Sequence, residues 1–224
     1  MKNIDKLSKE SNRDYAFRVI KDNIIKLELK PGTMLSEQDL ADELDLSRTP
    51  VHEALQELSK SRIIEVFPQK GSLVSLINVE LVEEAVFVRA TLEAAIIEQA
   101  CDMATAEDLQ QLEENVKLQE FYLSQNNADK IMELDNEFHE KLYSITNKMQ
   151  CLYMVKSMNI HHERFRELRI HASDGTPVVT QHKEILEALK TKNKEKAHDL
   201  LISHINTMRV DVEDVRKKYP AYFS

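Results

Sequence analysis

Apolar residues at positions 15, 19, 20, 24 and 27 (Tyr15, Val19, Ile20, Ile24, Leu27) fall at helical spacing, which predicts an amphipathic helix over 14–28. Lys30-Pro31-Gly32 ends it, because the residue before proline leaves the α region and glycine permits a turn. Ser36 followed by Asp39 reads as a capping-box-like start, and Leu40, Ala41 and Leu44 supply the inward face of a short helix. Asp45-Leu46-Ser47 breaks the pattern. A second short helix runs from about Ser47 to Lys60, with Val51, Ala54, Leu55 and Leu58 inward and Pro50 in its first turn, where a missing N–H costs little.

After Ser61 the period changes. Residues 63–67 and 72–77 are short β-rich runs separated by Pro68-Gln69-Lys70-Gly71, which predicts a hairpin. Two short helices on a first helix, closed by a hairpin, describe a winged helix-turn-helix over residues 1–78. From Val79 the helical period returns and stays, with predicted helices near 79–103, 105–125, 128–146, 149–171, 178–191 and 193–217. Residues 79–224 are therefore expected to form an all-α antiparallel bundle with short connections, and the fold class is mainly α.

The chain of 224 residues holds only three Gly, consistent with long helices and few tight turns. No apolar run approaches the roughly 18 residues of a membrane span. The polar N-terminus lacks the apolar core of a signal peptide, so a cytoplasmic location is expected. Cys101 and Cys151 fit no metal or redox spacing and read as two buried thiols. The net charge of −9 argues at first against a DNA-binding protein, but it is unevenly placed. Residues 1–78 carry 12 Lys/Arg against 13 Asp/Glu, a net of −1; the remaining −8 lies beyond them. Bulk attraction to phosphate is then weak, and binding must rest on well-placed contacts, in two copies per site.

The stretch PGTMLSEQDLADELDLSRTPVHEALQELSKSRIIEVFPQKGSLV carries PG, L-S-E-x-x-L-A, an L-S-R-T-P-V-x-E-A-L core and a P-x-K-G wing. Over residues 12–76 it resembles the DNA-binding domain of the GntR family of bacterial regulators. A recognition helix enters the major groove by its N-terminal end, where free N–H groups and the helix dipole favour phosphate. Arg48 sits there and can contact guanine in bidentate fashion. Ser47 and Thr49 either cap the helix or bond phosphate. His52 lies one turn on, where relatives usually carry a second arginine. This departure alters base preference and brings in a charge that changes within the physiological pH range. Lys70, beside Gly71 at the wing tip, can reach phosphate or the minor groove. Ser36 and Gln38 match positions that touch DNA in the family; capping and surface polarity are the competing readings for them.

Eight histidines are many for an acidic, aromatic-poor chain. Asp135 and His139 stand at i and i+4 of one predicted helix and share a face. His182 and His204 are each flanked by apolar residues at helical spacing and so face inward. A lone inward histidine is more often a hydrogen-bonded core residue than a ligand. The helical half, however, resembles the ligand-binding FCD domain of the FadR-type subfamily: Arg89 with Glu93, Asp135 through His139, His182 with Ile185 and Ala188, and His204-Ile205 match its pattern. The resemblance implies that Asp135, His139, His182 and His204 hold one divalent metal, a donor set suited to Zn²⁺, Ni²⁺ or Mn²⁺. It also implies a small organic-acid effector on that metal. Arg89 would pair with the effector carboxylate or form an ion pair with Glu93. His161, His162, His171 and His198 match no ligand position, and Arg164, Arg166 and Arg169 read as a solvated face.

These features point to a homodimeric, effector-responsive regulator, most simply a repressor, that binds a palindromic operator in double-stranded DNA. One competing reading makes the metal structural, or makes it the signal itself. Another is a metal-dependent hydrolase, since Asp/His₃ can activate water. The chain has no H-E-x-x-H motif, and a hydrolase would leave the DNA-binding segment without purpose.

Overall fold

The computed structural model describes residues 1–2, 4–170, 176–210 and 212–224, which divide into two compact units. The first comprises Met1–Val82 together with Met158–Glu167 and Arg216–Ser224. Its first helix, α1 (Asn12–Ile25), starts where the Ser11 side chain accepts from the Asp14 N–H. Strand β1 (Met34–Leu35) leads into α2 (Glu37–Leu44), and a tight turn joins that helix to α3 (Arg48–Lys60). The turn places Asp45 in the left-handed region at φ 54°, which short polar side chains tolerate better than most. Strands β2 (Ile64–Phe67) and β3 (Gly71–Val74) form the hairpin, and the antiparallel sheet has the order β1-β3-β2. The two-residue β1 is absent from the sequence expectation; it is too short to show a period, and only its pairing with β3, Met34 with Leu73 and Leu35 with Ser72, defines it.

Val19, Ile20, Ile24, Leu55, Leu58 and Ile63 lose all or nearly all solvent contact in the core of this unit. Each such side chain contributes about 1.5–3 kcal/mol on burial. Ile160, far along the chain, joins the same core. Arg164 also lies fully buried in this unit, its NH2 donating to the Ser75 carbonyl at 2.5 Å. Near the C-terminus, Ile77 and Phe223 form a parallel bridge, with the Ile77 N–H donating to the Tyr222 carbonyl at 2.8 Å.

The second unit comprises Glu83–Ser157 and Leu168–Val215. Helices α4 (Val79–Met103), α5 (Ala106–Ser124), α6 (Ala128–Ile145), α7 (Met149–Met158), α8 (Ile160–Ile170), α9 (Thr176–Lys190), α10 (Lys194–Val210) and α11 (Val212–Lys218) follow the wing. Within the unit α5 packs on α6 and α9, and α9 packs on α10. A full capping box starts α5: the Asp108 N–H donates to Thr105 Oγ1 at 3.1 Å, and the Thr105 N–H donates to Asp108 Oδ2 at 3.0 Å.

The helix expected over 149–171 is two helices, α7 and α8. Asn159 interrupts it and starts α8, with its Oδ1 bonded to His162 Nδ1 at 2.8 Å. The helix expected over 193–217 is described as α10 and α11, residue 211 lying outside the described residues. The break expected at 173–175 and His171 also lie outside them. Arg164 and Arg166 are buried, not the solvated face that their charge suggested. Cys101 is buried as expected, whereas Cys151 is only half-buried, and both are free thiols.

Candidate DNA interface and metal centre

A groove of about 730 Å³ opens in the first unit between α2, the start of α3 and the wing. Ser36 and Gln38 line it from α2, Arg48 and His52 from α3, and Lys70 and Gly71 from the wing. The three cationic or potentially cationic side chains are exposed: Arg48 at 66%, His52 at 52%, and Lys70 at the hairpin tip. Ser36 caps α2, its Oγ accepting from the Asp39 N–H at 3.3 Å. Ser47 occupies the N-cap position of α3 in extended conformation, yet its side chain makes no capping bond. Thr49 is exposed in the first turn, and Gln38 donates to Asp42 Oδ1 at 2.7 Å. Gly71 has φ 101°, and a Cβ there would meet the Leu35 carbonyl oxygen at 2.6 Å. The residue must therefore be glycine for β1 to close against the wing.

Glu37 is the residue of this groove that the sequence reading missed. It is the first residue of α2, and its Oε1 lies 2.7 Å from His52 Nδ1 while its Oε2 lies 3.7 Å from Arg48 NH2. The L-S-E-x-x-L-A pattern contains it, but nothing in the spacing brings residue 37 to residue 52.

In the second unit, Asp135 and His139 of α6, His182 of α9 and His204 of α10 are all buried, with ligand atoms within 4.8 Å of one another. Their positions follow from helix geometry: i and i+4 on α6 share a face, and α9 and α10 pack against each other. His139 Nε2 and His204 Nε2 stand 3.1 Å apart, and Asp135 Oδ1 lies 3.6 Å from both His182 Nε2 and His204 Nε2. Phe138 stacks on His182 with ring centroids 4.2 Å apart and fixes its plane.

The opposite nitrogen of each ring has its own acceptor. His139 Nδ1 meets Glu93 Oε2 at 2.5 Å, His182 Nδ1 meets Gln119 Oε1 at 2.9 Å, and His204 Nδ1 meets Gln181 Oε1 at 2.9 Å. The amide orientations are consistent, because Gln119 Nε2 donates to Asn115 Oδ1 and Gln181 Nε2 to Thr207 Oγ1. Burial pushes the Glu93 carboxyl up, but Arg89 and His139 outweigh it and hold it at about 2. Glu93 is thus an anion, and each Nδ1 is an N–H donor. With the proton on Nδ1, a neutral ring turns its Nε2 lone pair inward, so Nε2 of all three rings and the Asp135 carboxylate are the atoms that converge. Burial, and next the neighbouring His182 and His139, hold His204 well below the ordinary histidine range, in the neutral form a metal requires. Such a convergence of acceptors suits a cation, and outer partners on every imidazole are the usual companion of a metal site. The donor set therefore fits a divalent transition metal.

Arg89 is buried and donates from Nε to Glu93 Oε1 at 2.9 Å, the ion pair expected between these two residues. The sequence pairs Glu93 only with Arg89, and no signal in it points to the bond with His139 or to Gln119 and Gln181. Gln181 adjoins His182 in sequence yet serves His204 on the next helix, a relation that no spacing rule conveys. His161 and His162 are buried in the first unit, and His198 is half-buried beside Asp199.

The sequence pattern of the gntR family of bacterial regulatory proteins matches residues 13–74, and that of the FCD domain matches residues 84–207. The chain belongs to the GntR family. It is a DNA-binding transcription regulator of the FCD-containing kind. Among relatives of this GntR protein, the HTH-type transcriptional repressor RspR of Escherichia coli is 27% identical over 209 residues, covering 93% of this chain and 92% of that one. An HTH-type regulator from an unstable DNA locus of Streptomyces ambofaciens is 29% identical, covering 96% and 90%. The fold matches E. coli McbR/YncC with a TM-score of 0.78 at 22% identity, over 94% of this chain and 99% of that chain. A GntR regulator from Rhodococcus sp. RHA1 matches with a TM-score of 0.72 at 26% identity, over 96% and 100%. The gntR segment implies DNA binding and the FCD segment a small-molecule effector. Among the described residues no helix is long and apolar enough to cross a membrane.

Proposed function

We propose that this GntR protein is a homodimeric repressor that binds a palindromic operator and responds to an organic acid held at a divalent metal in its FCD unit. The observation that carries the metal is the convergence of three Nε2 atoms and the Asp135 carboxylate, each imidazole braced by an acceptor on its far nitrogen. Asp135, His139, His182 and His204 would hold the ion, and a bound Zn²⁺, Ni²⁺ or Mn²⁺ supplies an electrophile that takes a carboxylate oxygen. Ser36, Gln38, Ser47, Arg48, Thr49, His52, Lys70 and Gly71 would form the DNA face, Arg48 reading guanine and Lys70 meeting phosphate. RspR and the gluconate operon regulator of Bacillus subtilis are both named repressors, which supports that sign of control. Phe87 on α4 and Tyr153 and Met154 on α7 are each more than 60% exposed, apolar surface of the sort a second copy covers.

A second reading keeps the regulator but makes the metal structural, or the signal itself. It is favoured by Arg89, whose guanidinium is engaged by Glu93 in a buried ion pair.

Metal content and DNA affinity of the purified full-length protein test both readings. Wild type should carry about one divalent ion per chain, and His139→Ala should lose it. Gln119→Leu should weaken metal affinity about 10–100-fold while leaving the four ligands in place. Screened organic acids should then shift operator affinity in the loaded protein but not after chelation. A metal-loaded protein whose DNA affinity answers to no acid, and only to metal, supports the second reading. A protein that takes up no divalent ion sinks both.

A further inference from the structure

Histidine is a two-faced reader of bases, and the groove of the first unit decides which face His52 shows. This inference rests on the reading of that groove as the DNA interface. His52 Nδ1 lies 2.7 Å from Glu37 Oε1, and a carboxylate accepts hydrogen bonds without donating them. Nδ1 must then be the N–H donor whether the ring is neutral or charged. Nε2, on the other side of the ring, has no hydrogen-bond partner among the described residues, and the half-exposed side chain lines the groove. Glu37 is itself four-fifths buried at the start of α2, so it is the more firmly held of the two. The charged groups lining the groove around His52 are Glu37 and Asp39 from α2, Arg48 from its own helix and Lys70 from the wing. Arg48 approaches the other Glu37 oxygen, so one carboxylate positions both neighbouring readers.

We propose that Glu37 is a specificity-positioning residue that fixes the tautomer of His52, so that one operator position changes its preferred base with pH. In the neutral ring Nε2 is an acceptor, which matches the exocyclic amine of adenine or cytosine in the major groove. Protonation turns Nε2–H into a donor, which matches N7 and O6 of guanine and loses cytosine, whose major-groove edge only donates. An arginine at this position is a donor only and reads guanine at every pH. Residue 52 in this chain therefore reads two different edges, and proton concentration selects between them.

Selection of DNA bound by the full-length protein from a random pool, at about pH 8.5 and about pH 5.5, tests the inference across the range where imidazole changes charge. At one position of each half-site, the ratio of cytosine to guanine should fall by at least about fivefold on acidification, the scale of one hydrogen bond exchanged for a mismatch. His52→Arg should select guanine there at both pH values, and His52→Ala should abolish the change with pH. Glu37→Ala frees the ring to use either tautomer, so at alkaline pH it should accept guanine and the amine-bearing bases alike. The same base at both pH values in wild type overturns the inference, as does a pH-dependent change that survives in His52→Ala. Wild type that enriches no sequence at either pH overturns the DNA interface itself, and the inference with it.

Discussion

His161 sits 4% exposed in the first unit, and burial first, then the charge of Arg164, lower its pKa to about 4. Its unfolded value is near the ordinary ~6.5, so between these values the unfolded chain binds the proton and the folded chain does not. The stability that follows from the neutral ring is complete above about pH 6.5 and is lost as pH falls toward about 4. A shift of that size corresponds to at most about 3 kcal/mol over the whole window. Urea unfolding midpoints of wild type and His161→Gln, compared at about pH 7 and about pH 5, should show a steeper acid loss in wild type. Equal slopes would mean that water or relaxation already serves the charged ring. The sequence marked His161 only as matching no ligand position, because burial of one histidine on α8 depends on which face the first unit covers.

At the scale of elements, the capping box of α5 carries a definite energetic signature. Thr105→Ala removes the side-chain acceptor for the Asp108 N–H and should cost about 1 kcal/mol in chemical denaturation. Thr105→Ser, which keeps the oxygen, should cost less, and an equal loss in both would assign the effect to the lost methyl group. Element types were largely legible, since the recognition-helix pattern Val51, Ala54, Leu55, Leu58 and the wing residues Ile64 and Val74 all turn inward as their periods require. Two features were not. The helical period runs unbroken through Asn159, where a polar side chain captures the start of the next helix. Strand β1 has two residues, fewer than any period needs, and exists through its partner β3.

For the whole molecule, the net −1 over residues 1–78 predicts DNA binding by few cations, each separately visible in the salt dependence. Lys70→Ala should weaken binding evenly across sequences and lower the slope of log affinity against log salt by about 1 per copy. Arg48→Ala should instead relax base choice, costing about 1–3 kcal/mol at the operator and little on random DNA. An Arg48 variant that loses specific and random binding equally would remove it from base readout. The four residues proposed as ligands were legible through their resemblance to the FCD pattern, since spacing alone placed them only on inward helix faces. Their outer partners Glu93, Gln119 and Gln181 were not, since each lies on another helix from the ring it braces, at sequence separations of 46, 63 and 23.

The first unit is assembled from three separate stretches of chain, with Ile160 in its core, Arg164 on the Ser75 carbonyl and Phe223 bridged to Ile77. A ribosome adds about 5–20 residues per second, so the helix-turn-helix emerges many seconds before the segments that finish it. During that interval the nascent reader lacks part of its core, and it is completed only after the whole effector-binding region has been synthesised. A chain that stops before residue 158 lacks Ile160, Arg164 and the Ile77–Phe223 bridge, and its first unit should unfold more readily than that of the full chain.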